Sequence, residues 1–219
     1  MTDSPEIPHY NVVFATPGNS FTPGYMNSIL MTVYALEREG LSWFFLNETS
    51  SHVAIAREGT IAGKDNWSNG RVTKPRDGEF TYDKLMWIDS DIQWGPSDFG
   101  TLYYSDKDII SGCYLMPDRC TPIFMNVLSP MLTEQDLLKH REPFKCAAVG
   151  FGFLCVKYGV FEAMERPWFS FTGAEEDFGI KVILGEDVAW SIKAKKAGFD
   201  IWVDPSVKIT HTKTGKVAW

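Results

Sequence analysis

Apolar and polar positions along the first half of the chain predict strands and helices in turn. Four mostly apolar runs have the length of β-strands, and they cover residues 11–15, 42–46, 84–88 and 108–113. Segments with helical features lie between them at 22–40, 51–63 and 96–104. This alternation of strand and helix is typical of βαβ units on a mostly parallel sheet.

The first predicted helix has clear signals at both ends. Thr22 is expected to be its N-cap, Pro23 its first residue and Gly40 its end. Its apolar positions at helical spacing are Met26, Ile29, Leu30, Val33 and Leu36. We therefore expect an amphipathic helix that packs this face on the sheet.

The second half of the chain has a less regular pattern. Strands are predicted at 122–128, 145–156, 199–203 and 207–211, and helices at 158–165 and 186–197. Residues 64–82 and 166–182 are predicted to be polar loops, and Asp204-Pro205 a turn. In open α/β sheets ligands bind beyond the carboxyl ends of the strands, which draws attention to the loops after Ala15 and Ile88.

Composition and charge limit the class of protein. The chain has 219 residues, 44% apolar and 22% charged, which fits one globular α/β domain. A net charge of −7 without a Lys/Arg cluster gives no support for nucleic-acid binding.

No apolar stretch approaches the roughly 18–20 residues that cross a bilayer, and residues 1–10 do not resemble a signal peptide. We expect a cytoplasmic protein without a membrane anchor, whose four cysteines are mostly buried free thiols.

Two carboxylates follow the apolar strand at 84–88. Asp89 and Asp91 flank Ser90, and side chains two apart on an extended chain point the same way. Hard cations such as Mg²⁺ and Mn²⁺ prefer oxygen ligands and keep open positions for phosphate. The pattern therefore indicates a site for a divalent cation and a diphosphate. An ordinary solvated turn is the alternative, because Asp and Ser are common turn residues.

A second acidic pair, Glu186 and Asp187, begins the last predicted helix. Acidic residues in a first turn complement the helix dipole, which is one explanation of the pair. The other is that one carboxylate acts as a general base, which needs a carboxylate near the nucleophile and not neutralised by a metal.

Three further features have both a structural and a functional interpretation. His211 ends the last predicted strand, and it is either a packed residue or a metal ligand in a mixed Asp/His site that suits Mn²⁺. Arg57 is either an amphipathic helix residue or a group that recognises a base or phosphate. The segment 149–153, with Gly150 and Gly152, either lets the backbone approach a ligand or forms a bulge.

Together these segments resemble the GT-A glycosyltransferases, in particular the small family-2-like enzymes of bacteria and phages. The segments that carry the resemblance are 86–92, 149–156 with 158–162, and 185–203 followed by His211. The resemblance covers residues 10–212. It implies a GT-A fold, an α/β single domain with a Rossmann-like, mostly parallel central sheet flanked by helices. It further implies that residues 10–113 form the nucleotide-sugar-binding half and residues 114–219 the acceptor-binding half.

The resemblance also implies roles for individual residues. Asp89 and Asp91 would hold Mn²⁺ or Mg²⁺ and the diphosphate, with His211 as a further metal ligand. Asp187 would be the catalytic base, with Glu186 beside it. The donor would be a UDP- or GDP-linked sugar, and the residues on its side are Thr16, Pro17, Gly18, Asn19, Arg57, Asp89 and Ser90. The acceptor would be a hydroxyl of a carbohydrate or another molecule, in the cytoplasm of a bacterium or a phage-infected host.

The expected reaction is sugar transfer from a nucleoside diphosphate to a hydroxyl. A base at Asp187 would give inversion, but related folds include retaining enzymes, so the stereochemical outcome stays open. On the acceptor side, Trp168, Phe169 and Phe171 are predicted to stack on sugar faces, and Glu175, Glu176 and Asp177 to bind hydroxyls.

Two other classes of function compete with this interpretation. A sugar nucleotidyltransferase would carry a basic residue in its N-terminal Gly-rich loop, and the segment 14–20 has no Lys or Arg. A non-catalytic carbohydrate-binding module would use exposed aromatic residues such as Trp94 or Phe171. Such a module would not need a pair of metal carboxylates and a separate base.

Overall fold

A seven-stranded mixed sheet runs through the centre of the protein. The computed structural model describes residues 6–63, 71–173, 183–213 and 216–218. In chain order the strands of this sheet are β1 (His9–Pro17), β2 (Trp43–Glu48), β3 (Thr81–Ile88), β5 (Ile109–Cys113), β7 (Phe144–Cys146), β9 (Phe153–Lys157) and β12 (Ile201–Lys208). Their spatial order is β2-β1-β3-β9-β5-β12-β7.

Strand direction sets the position of the functional loops. Strands β2, β1, β3, β5 and β12 point the same way, whereas β9 and β7 run in the opposite direction. The carboxyl ends of β1 and β3 therefore lie at the same edge as the beginning of β9. Ile88, the last residue of β3, is paired with Phe153, the first of β9.

Helices and short strands complete the fold. The helices are α1 (Pro23–Glu39), α2 (Val53–Ala62), α3 (Pro96–Tyr103), α4 (Glu134–Leu137) and α5 (Glu186–Lys196), with a 3₁₀ turn at Pro75–Gly78. The short strands are β4 (Ile92–Gln93), β6 (Ile123–Phe124), β8 (Ala148–Val149), β10 (Thr172–Gly173), β11 (Ile183–Leu184), β13 (Thr210–Lys213) and β14 (Lys216–Ala218). The predicted α/β domain with a mostly parallel sheet is confirmed.

Helix α1 has the predicted ends but buries only part of the predicted apolar face. The Thr22 side chain accepts a hydrogen bond from the Tyr25 amide, and Gly40 ends the helix with a φ of 71°. Its buried residues are Tyr25, Ser28, Ile29, Thr32 and Leu36. The prediction that Met26 and Leu30 face the core is wrong, because they are 43% and 63% exposed.

The core occupies both faces of the sheet. Trp87 on β3 packs on one side against aromatic rings that include Phe151, Phe161 and Phe169. Its neighbours Met86 and Ile88 point to the other side, where α1 and α3 pack. Alternation of side chains along a strand explains this division. A strand buried on both faces gives a continuous apolar run in the sequence, which is the pattern at 85–88.

Several local predictions for the second half are wrong. The chain does not turn at Asp204-Pro205, because β12 runs through both residues with a change of register between Val203 and Lys208. An irregular register accommodates proline in a strand. The helix predicted at 158–165 is a series of turns. The strand predicted at 122–128 is reduced to β6, and the one at 145–156 is divided among β7, β8 and β9.

The cysteines are free thiols, as predicted. Cys113, Cys146 and Cys155 are buried, and Cys120 is partly buried. Burial raises the pKa of each of the three buried thiols to about 12, so they stay protonated and unreactive at neutral pH.

Membrane-spanning helices are absent from the described part of the chain, where no helix combines the length and the apolar character needed to cross a bilayer.

Candidate active site

A cleft of about 560 Å³ opens at the carboxyl edge of the central sheet. The predicted site residues that line it are Pro17, Gly18, Arg57, Asp89, Ser90, Asp91, Glu186, Asp187 and His211. They come from the ends of β1 and β3, from α2, from the start of α5 and from β13. The fold therefore brings both acidic pairs, the arginine and the histidine to one cleft.

Backbone hydrogen bonds fix the loop that carries Asp89 and Asp91. The Asp89 amide donates to the Gly152 carbonyl at 3.1 Å, and the Ile92 amide donates to the Asp89 carbonyl at 3.0 Å. The loop after β1 touches it, because an added Cβ at Gly18 would lie 2.8 Å from Ser90 Oγ. Gly18 also has a φ of 146°, which favours glycine at this close approach.

Asp91 and His211 lie side by side in the cleft. His211 Nε2 lies 3.2 Å from Asp91 Oδ2, and the Thr212 amide donates to the Asp91 carbonyl at 2.9 Å. Pairing of β4 with β13 places His211 opposite Ile92, which explains how residues so far apart in sequence meet. His211 is buried, and its Nδ1 has no hydrogen-bond partner among the described residues.

The Asp91–His211 pair has a geometry that fits a divalent cation. Two neighbouring ligands of an octahedral Mg²⁺ or Mn²⁺ ion, each about 2.1 Å from it, lie about 3 Å apart. The observed separation of 3.2 Å is close to this value. Within the described ranges no group of three or more His, Cys, Asp or Glu side chains gathers to hold a metal. A cation at this pair would therefore take further ligands from a diphosphate and water, as Mg²⁺ commonly does.

Arg57 joins the two acidic pairs. Its Nη1 donates to Glu186 Oε1 at 2.5 Å, and its Nη2 lies 3.3 Å from Asp89 Oδ1. Burial lowers the pKa of Arg57. The negative charges of Asp89, Glu186 and Asp187 raise it by more than burial lowers it, so the pKa of Arg57 is above its ordinary value. Burial raises the pKa of Glu186, and the charge of Arg57 counteracts this effect only in part.

Asp187 differs from Glu186 in its surroundings. Glu186 is buried against Arg57, whereas Asp187 is half-buried and accepts a hydrogen bond from the Val188 amide at 2.8 Å. Helix α5 is anchored by Trp190, whose ring packs edge-on against Phe151 with centroids 4.8 Å apart. The more accessible carboxylate at the start of this helix is thus held on a rigid element.

The predicted nucleoside-side residues do not all reach the cleft. Pro17, Gly18 and Ser90 line it, but the Thr16 side chain is fully buried and its hydroxyl shares a 2.7 Å hydrogen bond with that of Tyr25. Asn19 is exposed and does not line the cleft. Asn47 Nδ2 donates to the carbonyls of Thr16 and Gly18, which holds the loop in place.

Tyr114 is a cleft residue that the sequence analysis missed. An added Cβ at Gly150 or Gly152 would lie 2.5 or 2.6 Å from its side chain, so the two glycines make room for this ring. The Tyr114 hydroxyl accepts from the Gly152 amide at 3.1 Å, and its ring meets His211 edge-on. Burial, and then the charge of Asp89, raise the pKa of Tyr114, which stays protonated. The Gly-Phe-Gly signal was visible in the sequence, but its partner lies far away in the chain.

Gly152→Ala should destabilise the fold by displacing Tyr114. We expect the free energy of unfolding to fall by about 1–3 kcal/mol, the usual cost of overpacking, in urea denaturation. Gly100→Ala is the matched control, because that glycine lies within α3 with open space around it. The control should be neutral or stabilising by up to about 1 kcal/mol, since alanine favours the helix. Equal effects of the two substitutions would contradict the packing role of Gly152.

The predicted sugar-stacking residues are mostly in the core. The prediction is wrong for Trp168 and Phe169, which are buried at 0% and 4% exposure. Phe171 is exposed, but it lines a separate pocket beside Ile55 and Pro167. Residues 175–177 lie outside the described residues. The far wall of the cleft consists of residues that the sequence did not single out as site residues: Tyr114, Met116, Pro122, Phe124 and Met131.

Comparisons with known proteins identify the fold. No protein-family model and no curated protein matches the chain in sequence. A197 from STIV matches with a TM-score of 0.57 and 18% identity, over 95% of this chain and 88% of that one. GalNAc-T7, solved with UDP, GalNAc and Mn²⁺, matches with 0.52 and 12%, over 92% of this chain and 44% of its own. The present chain thus spans less than half of GalNAc-T7.

A third structure is the catalytic domain of Drosophila β1,4-galactosyltransferase 7 in complex with xylobiose. Its TM-score is 0.50 at 12% identity, over 95% of this chain and 72% of that one. At such low identities the likeness establishes the fold, which is the GT-A fold found in glycosyltransferases.

Proposed function

We propose that the protein is a metal-dependent glycosyltransferase, a hexosyltransferase that moves a sugar from a nucleoside diphosphate to a hydroxyl. The observation that carries this proposal is the meeting of the Asp91–His211 pair and Asp187 in one cleft. The cleft lies at the edge of a GT-A sheet where ligands of open α/β folds bind. We further propose that the protein is of the small, family-2-like type.

The donor would bind to the side of the cleft that residues 10–113 form. Pro17 and Gly18 from the loop after β1, together with Arg57 and Ser90, would form the wall for the nucleoside, and the diphosphate would lie at Asp89 and Asp91. Mn²⁺ or Mg²⁺ held by Asp91 and His211, with Asp89 beside them, would stabilise the negative charge that develops on the leaving diphosphate. GalNAc-T7 was solved with UDP and Mn²⁺, which favours this kind of donor and cation. The nucleoside would be uridine or guanosine.

The acceptor would enter from the second half, residues 114–219. Asp187 is the accessible carboxylate of the second pair, and as general base it would take the proton of the attacking hydroxyl. In-line attack on the anomeric carbon would then invert its configuration. The apolar wall with Phe124 and Met131 would hold the acceptor. Xylobiose in the β1,4-galactosyltransferase 7 structure is consistent with a carbohydrate in this role.

A thermal-shift experiment tests the proposal with nucleotides alone. We expect UDP or GDP to raise the melting temperature in the presence of MnCl₂ and to do so far less in EDTA. At a nucleotide concentration 100 times its Kd the gain is about 2.7 kcal/mol, or roughly 5–11 °C for a domain of this size. Equal shifts with and without the metal, or none with either nucleotide, would contradict the proposal.

A further inference from the structure

The guanidinium of Arg57 connects two distant parts of the cleft. It reaches Asp89, which follows β3, and Glu186, which begins α5 and lies 129 residues after Arg57 in the chain. Arg57 is 5% exposed, and its guanidinium lies over the Phe151 ring at 5.1 Å. Protein carboxylates thus occupy both of its terminal nitrogens.

Burying the charged groups of this cluster costs free energy, so a role in packing alone does not explain why they are there. A buried ion pair loses hydration, and apolar residues of similar volume often give equal or better stability. The planar fork of arginine can hold two carboxylates in a fixed relation, which the single charge of lysine cannot do. An arrangement of this kind is therefore suited to orienting groups within a site.

We propose that Arg57 is a positioning residue that acts through Glu186 and Asp89. It holds the first turn of α5, and with it Asp187, in a fixed position relative to the Asp89–Asp91 loop. It also neutralises the negative charge of Glu186, which would otherwise repel an anionic donor in the cleft. The donor-side contribution of Arg57 is then indirect. This inference rests on the proposed function and adds to it the residue that aligns its two halves.

Four variants separate positioning from direct donor binding and from stability. Arg57→Met leaves Glu186 buried and unpaired, so the melting temperature should fall by roughly 6–20 °C. Adding Glu186→Met removes that charge, and the double variant should recover most of the loss. Glu186→Met alone and Arg57→Lys complete the set. The lysine variant keeps a positive charge without the fork.

Calorimetry with UDP and MnCl₂, or with GDP if the wild type prefers it, provides the second measurement. Affinity should fall on the order of 10-fold in Arg57→Met, because a further negative charge then faces the diphosphate, and it should recover in the double variant. Arg57→Lys should bind nearly as well as the wild type. Affinity in the double variant as low as in Arg57→Met would overturn the inference in favour of direct donor binding.

Turnover provides the third measurement, as nucleotide release from the UDP- or GDP-sugar that the wild type uses fastest. All four variants should lose on the order of 10²-fold in kcat, since a small misplacement of a reacting group has this effect. The double variant should lose no more than Arg57→Met, because the two residues act as a unit. Full recovery of kcat in the double variant would overturn the inference and leave a stabilising role only. A wild type that binds neither UDP nor GDP would overturn the proposed function itself, and the inference with it.

Discussion

Asp91→Ala is expected to abolish the metal-dependent binding of UDP or GDP. Asp91 provides the carboxylate beside His211 Nε2. Without it, only one of the two neighbouring cation ligands is left. Even partners outside the first ligand sphere change metal affinity by about 10–100-fold, so loss of a direct ligand should weaken nucleotide affinity in MnCl₂ by at least about 10²-fold. The melting temperature without ligand should fall by roughly 2–12 °C, because the substitution also removes the carboxylate that lies 3.2 Å from the buried His211 ring.

Asp106→Ala is the matched control for this experiment. It also removes one aspartate charge, but Asp106 is 83% exposed and does not line the cleft. Calorimetry should give wild-type affinity for the control. If Asp91→Ala binds the nucleotide in MnCl₂ as tightly as the control does, the assignment of Asp91 as a metal ligand is wrong.

Asp187→Asn is expected to lower kcat by roughly 10²–10⁴-fold while nucleotide binding is unchanged. Asparagine keeps the size of the side chain and removes its charge and basicity. If Asp187 only complements the dipole of α5, the substitution should instead cost about 0.3–1 kcal/mol of stability and leave turnover nearly unaltered. Measuring kcat, nucleotide affinity and urea denaturation on the same preparation separates these two roles.

Glu186→Gln is the neighbouring control for Asp187→Asn. Glutamine keeps an oxygen that can accept the hydrogen bond from Arg57, so this variant should lose less activity than Asp187→Asn. A larger loss in Glu186→Gln would move the base by one residue. Normal transfer by both variants would indicate a retaining reaction or a base elsewhere in the protein.

The elements that position the site could be predicted from local signals. Thr22, Pro23 and Gly40 mark the ends of α1 through capping and backbone preferences, which act over a few residues. The run at 85–88 is apolar without interruption, as expected for a strand covered on both faces. Strand direction in a mostly parallel sheet then places the loops after β1 and β3 at one edge.

Contacts between distant segments were beyond such local signals. The sequence offers the two glycines at 150 and 152 but not the Tyr114 ring that needs their space. It likewise places Arg57 on a helix without indicating Glu186 as its partner. Trp168 and Phe169 lie in a polar segment, and only the fold shows that residues such as Phe161 and Trp87 enclose them. In each case the deciding interaction joins residues that tertiary packing brings together.

The position of the cation is the most direct test of the central claim. Crystals grown with UDP and MnCl₂, measured near the manganese absorption edge, would locate the ion by its anomalous scattering. The proposed function predicts a peak within about 2–2.5 Å of both Asp91 Oδ2 and His211 Nε2, with the diphosphate completing its ligands. UDP bound in the cleft without manganese at this pair, or manganese bound only elsewhere, would contradict it.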